Sequence, residues 1–275
     1  MHSRRDRNSP HVQAALAALV LLVAAAACAP GFQPRRFRTA PDLYRASLEQ
    51  FQRRKWDNAL QGLDLLATQL PARDSLLPRV YWYQAQAHSR KGEHLLAAQS
   101  YGRLTDAFPD DSLADRALFE TGREYKSLWR KPTLDAQYGE TALATFRSLL
   151  DRYPDSPFAK EAATQIASLN EMFARKDFEN GEHYLRRKAY DSAIIYFRDV
   201  TRLYPGTPSA RASYLKLLDA YRKINYREDV TETCTEARKF YPDDPAIGRA
   251  CSGVKTLADS SRAPPVRQPV PPAAR

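Results

Sequence analysis

Residues 181–205, GEHYLRRKAYDSAIIYFRDVTRLYP, decide the fold. The stretch combines two small residues, Gly181 and Ala193, with aromatic residues such as Phe197. This pattern predicts two helices joined by a tight turn, because small side chains let helices approach closely while aromatic rings fill the seam. Pro205 ends the second helix, since proline has no backbone N–H to continue it. One such hairpin cannot bury its own apolar face, so copies are expected to stack beside it.

Copies of this hairpin recur along the chain. Three markers repeat: a small residue in the second helix, a large apolar residue four positions later, and a terminating proline. They are Ala59, Ala97, Ala142 and Ala193; Leu63, Tyr101, Phe146 and Phe197; and Pro71, Pro109, Pro154, Pro205 and Pro242. A helix–turn–helix unit of about 34 residues with this spacing is the tetratricopeptide repeat. The sequence therefore predicts an all-α superhelix of about five tetratricopeptide repeats plus a capping helix.

The repeats have predicted limits and two insertions. The limits are about 41–71, 78–109, 115–154, 158–205 and 210–242, with a capping helix over 246–258. The turn of the third repeat is expanded around Trp129–Gln137, which predicts a protruding loop. Residues 158–188 contain no proline and are either one long helix or two helices that break near Lys176–Asp177.

The formal net charge of +10 comes mostly from the flanks of the repeats. Residues 29–40 contain three arginines and no acid, and residues 260–275 show the same composition. The body is therefore nearly neutral, and the high overall charge gives no support for nucleic-acid binding. The basic flanks are either solvated tails or contacts to a membrane surface.

The first 27 residues read as a secretory signal that leads to a lipidated cysteine. An apolar run of 14 residues, AALAALVLLVAAAA, is too short to span a bilayer but suits a signal peptide. It ends at Cys28, and Ala25–Cys28 resembles the site where a diacylglycerol is attached to cysteine before cleavage. The alternative is an ordinary signal with an incidental cysteine. Residues 28–40 are then a flexible tether, and residues 259–275 are a Pro-rich, basic, disordered tail.

No enzyme active site is evident. The five histidines are not spaced as metal ligands, and no phosphate-binding loop or zinc-protease motif is present. We therefore expect no metal and no cofactor beyond the covalent lipid on Cys28. Cys234 and Cys251 flank the turn YPDDP, so they are either a disulfide or two buried thiols.

A peptide-binding groove is predicted on the first helices of the first three repeats, because aromatic residues there are interleaved with basic ones. Aromatic rings offer rigid apolar contact, and arginine can bind a carboxylate with two hydrogen bonds. The groove residues are Tyr44, Leu48, Phe51, Trp82, Gln86, Arg90, Arg116, Phe119, Arg123 and Lys126. The competing interpretation is that Tyr44, Trp82 and Phe119 simply pack between helices.

The chain resembles the BamD (YfiO) family of lipoproteins, which serve the outer-membrane β-barrel assembly machinery, the BAM complex. The resemblance covers about residues 40–245 and is strongest in three segments: LYRASLEQFQRRKWDNAL at Leu43–Leu60, DAQYGETALATFRSLLDRYPDSPFAKEA at Asp135–Ala162, and HYLRRKAYDSAIIYFRDVTRLYPGTP at His183–Pro208. The expanded third turn and the long helix also fit that family. The two additional cysteines and the Pro-rich tail depart from it.

The resemblance implies a non-enzymatic scaffold anchored by lipid to the periplasmic face of the outer membrane. Such a scaffold binds the POTRA domains of the barrel-forming subunit through its C-terminal repeats, alongside other lipoproteins of the complex. Its N-terminal repeats receive the C-terminal targeting sequences of unfolded barrel proteins. Two other classes stay open: a docking lipoprotein for cell-wall enzymes or the Tol–Pal system, and a regulatory domain of an enzyme.

Overall fold

A computed structural model describes residues 31–254, and within them it is built from helices and turns without a strand. This confirms the predicted all-α class. The signal peptide, Cys28 and the tail from residue 255 lie outside the described residues. Eleven α-helices follow one another in this range: α1 Ala40–Gln52, α2 Trp56–Gln69, α3 Leu77–Lys91, α4 His94–Ala107, α5 Ala114–Leu128, α6 Gln137–Arg152, α7 Ala159–Arg186, α8 Tyr190–Leu203, α9 Pro208–Lys223, α10 Arg227–Phe240 and α11 Pro245–Ala250.

The chain divides into two compact units between Lys91 and Gly92. The first unit contains α1, α2 and α3, which pack on one another around a core that includes Leu43, Leu63 and Val80. The second unit contains α4 to α11, in which each helix packs against the next along the chain. Its two larger cores lie around Phe146 and around Phe197.

Close approach of helices in the second unit depends on two glycines that face aromatic rings. A Cβ added at Gly181 would lie 2.6 Å from the ring of Phe197, and one added at Gly122 would lie 2.7 Å from Phe146. Both rings are fully buried. The sequence pattern of a small residue paired with an aromatic one therefore corresponds to real contacts. These contacts allow α7 to pack closely on α8, and α5 on α6.

The short turns inside the repeats share one backbone feature. A residue with positive φ stands at Arg54 (58°), Gly92 (77°), Lys188 (59°) and Asn225 (63°). Each lies one or two residues after the end of a helix, where the left-handed conformation stops the helix.

Tyrosines connect the turns between repeats within the second unit. The Tyr153 hydroxyl donates to the carbonyl of Pro109 at 2.8 Å, and the Tyr241 hydroxyl donates to the carbonyl of Thr207 at 2.8 Å. Tyr153 and Tyr241, each followed by a proline, thus bind the turn of the preceding repeat.

The long segment before the fourth repeat is one continuous helix. α7 runs for 28 residues without a break at Lys176–Asp177. It packs against α6, α8 and α9.

The expanded third turn does not simply protrude. Trp129 is 1% exposed, its ring centroid lies 4.4 Å from that of Phe173, and its Nε1 donates to the carbonyl of Leu134 at 3.4 Å. An indole of this size is more stable buried than in water. It therefore fixes the start of the loop against α7, while Leu134 stays exposed.

The capping helix is shorter than predicted. α11 ends at Ala250 rather than residue 258, and a turn follows. Gly253 has φ of 76°, a left-handed conformation that stops a helix. The prediction followed the apolar positions and overlooked this glycine.

The described part of the predicted tether is ordered against the first unit. Phe32 packs with the core of α1 to α3, and Pro34–Arg36 form a 3-10 turn. The flexible-tether prediction is therefore wrong from Phe32 onward. Gly62 and Ser47 leave space on the helix surface for the ring, since a Cβ at position 62 would lie 3.2 Å from it.

Candidate peptide and partner binding surfaces

The first unit carries a cluster of four aromatic side chains, Tyr44, Phe51, Trp56 and Tyr83, which we call the aromatic cluster. Ring centroids lie 6.3 Å apart for Tyr44 and Tyr83, 5.3 Å for Phe51 and Tyr83, and 4.9 Å for Phe51 and Trp56. All four are half-buried. They combine rigid packing with accessible ring surface, which suits an apolar peptide side chain.

Burial keeps the phenol of Tyr44 uncharged. Burial of the Tyr44 hydroxyl, and to a smaller extent the nearby Tyr83, raises the pKa of Tyr44 to about 12. Arg79 lowers this pKa and offsets the rise only in part. Tyr44 therefore stays a neutral phenol at any physiological pH.

The other predicted groove residues of the first unit differ in solvent exposure. Trp82 is only 6% exposed, so it is a packing residue and cannot offer a ring to a ligand. Leu48 and Gln86 are half-buried, and Arg90 is exposed. Sequence reasoning chose Trp82 and missed its neighbour Tyr83, which belongs to the aromatic cluster.

Phe119, the predicted aromatic groove residue of the second unit, is also a packing residue. It is 2% exposed, and its ring lies 5.7 Å from Phe146 and 5.3 Å from Phe158. The packing interpretation is therefore the better description of Trp82 and Phe119, whereas Tyr44 remains partly accessible.

A charged row follows the exposed face of α5. Arg116 and Arg123 are exposed and lie on either side of Glu120. Arg123 donates to Glu120 at 3.1 Å. Burial raises the pKa of Glu120, and Arg123 and Arg116 pull it back down. A peptide carboxylate bound at this row would compete with Glu120 for the guanidinium of Arg123.

Lys126 is not a free cation for a ligand. Its ammonium donates to Gln165 Oε1 at 2.7 Å and to Ser168 Oγ at 2.9 Å, both on α7. Burial lowers its pKa. The side chain therefore connects α5 to α7, and its predicted place in the groove needs correction.

A buried polar pair links α4 and α5. His94 Nδ1 lies 2.6 Å from Glu124 Oε2, and Glu124 is 7% exposed. A buried carboxylate requires such a partner. Among residues 31–254, no group of three histidine, cysteine or acidic side chains is arranged to hold a metal ion.

In the last repeats, a groove of about 610 Å³ lies between α8 and α10, with α9 at its floor. We call it the C-terminal groove. Ile195 on α8 is 61% exposed and Phe240 on α10 is 42% exposed at its walls. Exposed large apolar side chains of this kind are typical of binding surfaces.

The α10 wall of the C-terminal groove carries three acids and one base, Lys239. Asp229, Glu232 and Glu236 line it, and none of the three forms an ion pair with another residue of the described chain. On the α8 wall, Arg202 donates to Asp199 at 2.8 Å. The groove thus offers apolar contact next to carboxylates available to a basic partner.

Cys234 and Cys251 are joined by a disulfide, with Cα atoms 5.6 Å apart. Both are fully buried. The bond ties α10 to the turn after α11 and so holds the helix that covers the last repeat.

Successive helical hairpins with small-residue seams and left-handed turns make this a tetratricopeptide-repeat protein. Residues 38–236 match the sequence profile of the YfiO family, described as outer membrane lipoproteins, and the chain belongs to that family. In the described residues, no helix is both long and apolar enough to cross a membrane.

Two relatives and one solved structure illustrate the similarity. Outer membrane protein assembly factor BamD of Vibrio cholerae is 25% identical over 70% of this chain and 83% of its own. The BamD of Pasteurella multocida is 23% identical over 74% of this chain and 82% of its own. The tetratricopeptide domain of P58(IPK) is 15% identical over 77% of this chain and 54% of its own, with a TM-score of 0.41.

Proposed function

We propose that this chain is an outer-membrane protein assembly factor that acts as a scaffold and not as an enzyme. The observation that carries the proposal is the family match over residues 38–236, which covers the helices from α1 to α9 and most of α10. The scaffold is anchored through lipid on Cys28 at the periplasmic face of the outer membrane. It works with a barrel-forming subunit and other lipoproteins, without nucleic acid.

The C-terminal groove is the proposed docking surface for the POTRA domains of the barrel-forming subunit. Its support is the combination of exposed Ile195 and Phe240 with the carboxylates of Glu232 and Glu236. Apolar side chains supply contact area, while acids that lack ion-pair partners select a basic patch on the other protein.

The proposal is tested by capture from solubilised envelopes with the tagged full chain. Wild type is expected to recover the barrel-forming POTRA protein, and E232K/E236K is expected to lose it. The matched control E228K/D243K makes the same charge change on exposed residues outside the groove. Recovery of Tol–Pal components or cell-wall hydrolases instead would favour the docking-lipoprotein alternative.

Reception of unfolded barrel proteins is proposed for two separate faces, one in each unit, and the experiment below tests the second. In the first unit, the aromatic cluster takes an apolar side chain of a client protein. In the second unit, Arg116 and Arg123 bind the C-terminal carboxylate of a client protein. R116E/R123E is expected to weaken binding of a C-terminal barrel peptide about tenfold or more, as for a lost charged hydrogen bond. R103E/R147E, exposed arginines elsewhere in the second unit, should bind normally. Equal loss in both variants would contradict the carboxylate contact.

A further inference from the structure

The segment that precedes α1 is attached to the first unit by an aromatic residue. Phe32 is partly buried and packs against the core formed by α1, α2 and α3, and its ring centroid is 6.0 Å from that of Phe37. The chain is therefore held against the helices from Phe32 onward.

This attachment leaves a very short link to Cys28. Only residues 29–31 separate Cys28 from Phe32. An extended chain spans at most about 3.5 Å per residue, so the two positions lie within about 14 Å of each other. If Cys28 carries lipid, as the proposed function requires, the first unit is held at the depth of the phospholipid headgroups.

The residues that follow Phe32 have the chemistry of a membrane-surface contact. Arg35, Arg36 and Arg38 are exposed, and Phe37 is 37% exposed between them. Within the described chain, none of the three arginines forms an ion pair with an acid. We call these four residues the basic strip.

Within the described first unit, no acid forms an ion pair with the basic strip. Asp42 lies 3.6 Å from Arg45, whereas Asp64 lines the same concavity as Arg35 without an ion pair to it. Three arginines beside one such carboxylate leave the strip with a net positive charge on an exposed surface next to the site of anchoring.

We propose that the basic strip binds the anionic phospholipid headgroups of the membrane in which Cys28 is anchored. The arginines contact phosphates, and Phe37 enters the interfacial layer, a position that aromatic residues favour. The diacylglycerol proposed for Cys28 supplies the attachment itself, and a polybasic patch adds electrostatic attraction to anionic lipids. The strip thereby determines which side of the first unit faces the membrane. This proposal rests on the proposed lipid anchor, but its binding step can be measured without lipid on the protein.

The test uses the full mature chain with C28S, which carries no lipid, in sedimentation with vesicles. Binding is expected to vesicles of phosphatidylcholine with about one third phosphatidylglycerol, and not to phosphatidylcholine alone. Each basic residue near an anionic surface contributes about fivefold, so R35Q/R36Q/R38Q should lose on the order of 100-fold in partitioning. In F37W, brominated lipid should quench more tryptophan fluorescence than in the parent protein.

The matched control is R53Q/R54Q/K55Q, which removes three exposed charges from the α1–α2 turn of the same unit. It should bind anionic vesicles as the parent does. The proposal is overturned if both triple variants lose binding equally, if neutral vesicles bind as well, or if F37W shows no added quenching. Mass spectrometry of the native protein tests lipid on Cys28 separately, so a failed anchor and a failed strip are distinguishable.

Discussion

At the scale of single residues, backbone conformation decides the effect of small changes. Gly92 adopts φ of 77°, and an added Cβ would meet nothing within 4 Å. Gly102 also has open space around an added Cβ, but it lies inside α4. Because neither position would produce a steric clash, the two substitutions differ only in the backbone conformation that alanine must adopt.

We predict opposite effects for the same substitution at these glycines. G92A should lower the free energy of unfolding by about 1 kcal/mol, because an L-residue is strained in the left-handed region. G102A should raise it by about 1 kcal/mol, because alanine is the better helix former. Urea unfolding followed by circular dichroism measures both. A destabilised G102A would show that another interaction dominates at that position.

A second prediction concerns Asp244, which caps α11 and pairs with Arg211. Its carboxylate accepts from the amides of Ala246 at 2.8 Å and Ile247 at 3.0 Å. Arg211 and these amides lower the pKa of Asp244 from 3.8 to about 2. Because the folded state binds the proton less readily than the unfolded state, this stabilisation is complete above about pH 4 and is lost as pH falls toward 2.

The measurement is urea unfolding at several pH values for wild type and D244N. Wild type should lose stability between pH 4 and pH 2, and D244N should lose less over that interval and be weaker than wild type at pH 7. D243N, at an exposed neighbour, serves as the control and should follow wild type. A D244N curve parallel to wild type would rule out this ion pair as the source.

The sequence predicted least accurately which residues of a helix are exposed to a ligand. Repeat alignment selected Trp82, yet Tyr83 carries the accessible ring. One residue rotates a side chain by about 100° around a helix, so a register error of one position exchanges core for surface. Lys126 could not be judged from sequence because its partners, Gln165 and Ser168, lie on a helix 39 or more residues away.

At the scale of elements, the hairpins were predictable because each depends on local signals. Gly181 with Phe197 and Gly122 with Phe146 mark helix pairs whose close contact the structure shows. Less predictable were elements fixed by distant contacts. Phe32 orders the predicted tether through a core that includes Val80, 48 positions further on.

The disulfide is expected to stabilise the last pair of helices. A covalent bond across 17 residues restricts the unfolded chain, which corresponds to about 3 kcal/mol for a loop of this size. C234A/C251A should lower the free energy of unfolding by about that amount. Unfolding in the presence of dithiothreitol should shift the wild-type midpoint and leave the double variant unchanged. No shift in wild type would show that the bond contributes little.

At the scale of the whole molecule, the repeat pattern predicted the all-α class, and three quoted segments predicted the family. The faces that bind partners were harder to locate, because accessibility depends on how neighbouring helices cover each other. The C-terminal groove is an example, since its acids and apolar residues come from α8, α9 and α10 and no contiguous motif marks it.

The proposed function predicts a cellular effect of the groove. In cells depleted of this chain, levels of outer-membrane barrel proteins should fall, since assembly lacks its scaffold. Expression of wild type or E228K/D243K should restore them, and E232K/E236K should not. Immunoblots of envelope fractions measure this, with the level of each variant as a control. Full restoration by E232K/E236K would argue against the groove as the docking surface.

The continuity of α7 has a mechanical consequence. At about 1.5 Å per residue its 28 residues measure about 42 Å, and α6, α8 and α9 all lean on this single shaft. The turn of residues 153–158 joins the third hairpin to this helix, whereas the fourth hairpin begins with the helix itself. Because α7 has no break between its contacts with α6 and its contacts with α9, we expect those contacts to keep their spacing along the helix when a partner binds either hairpin.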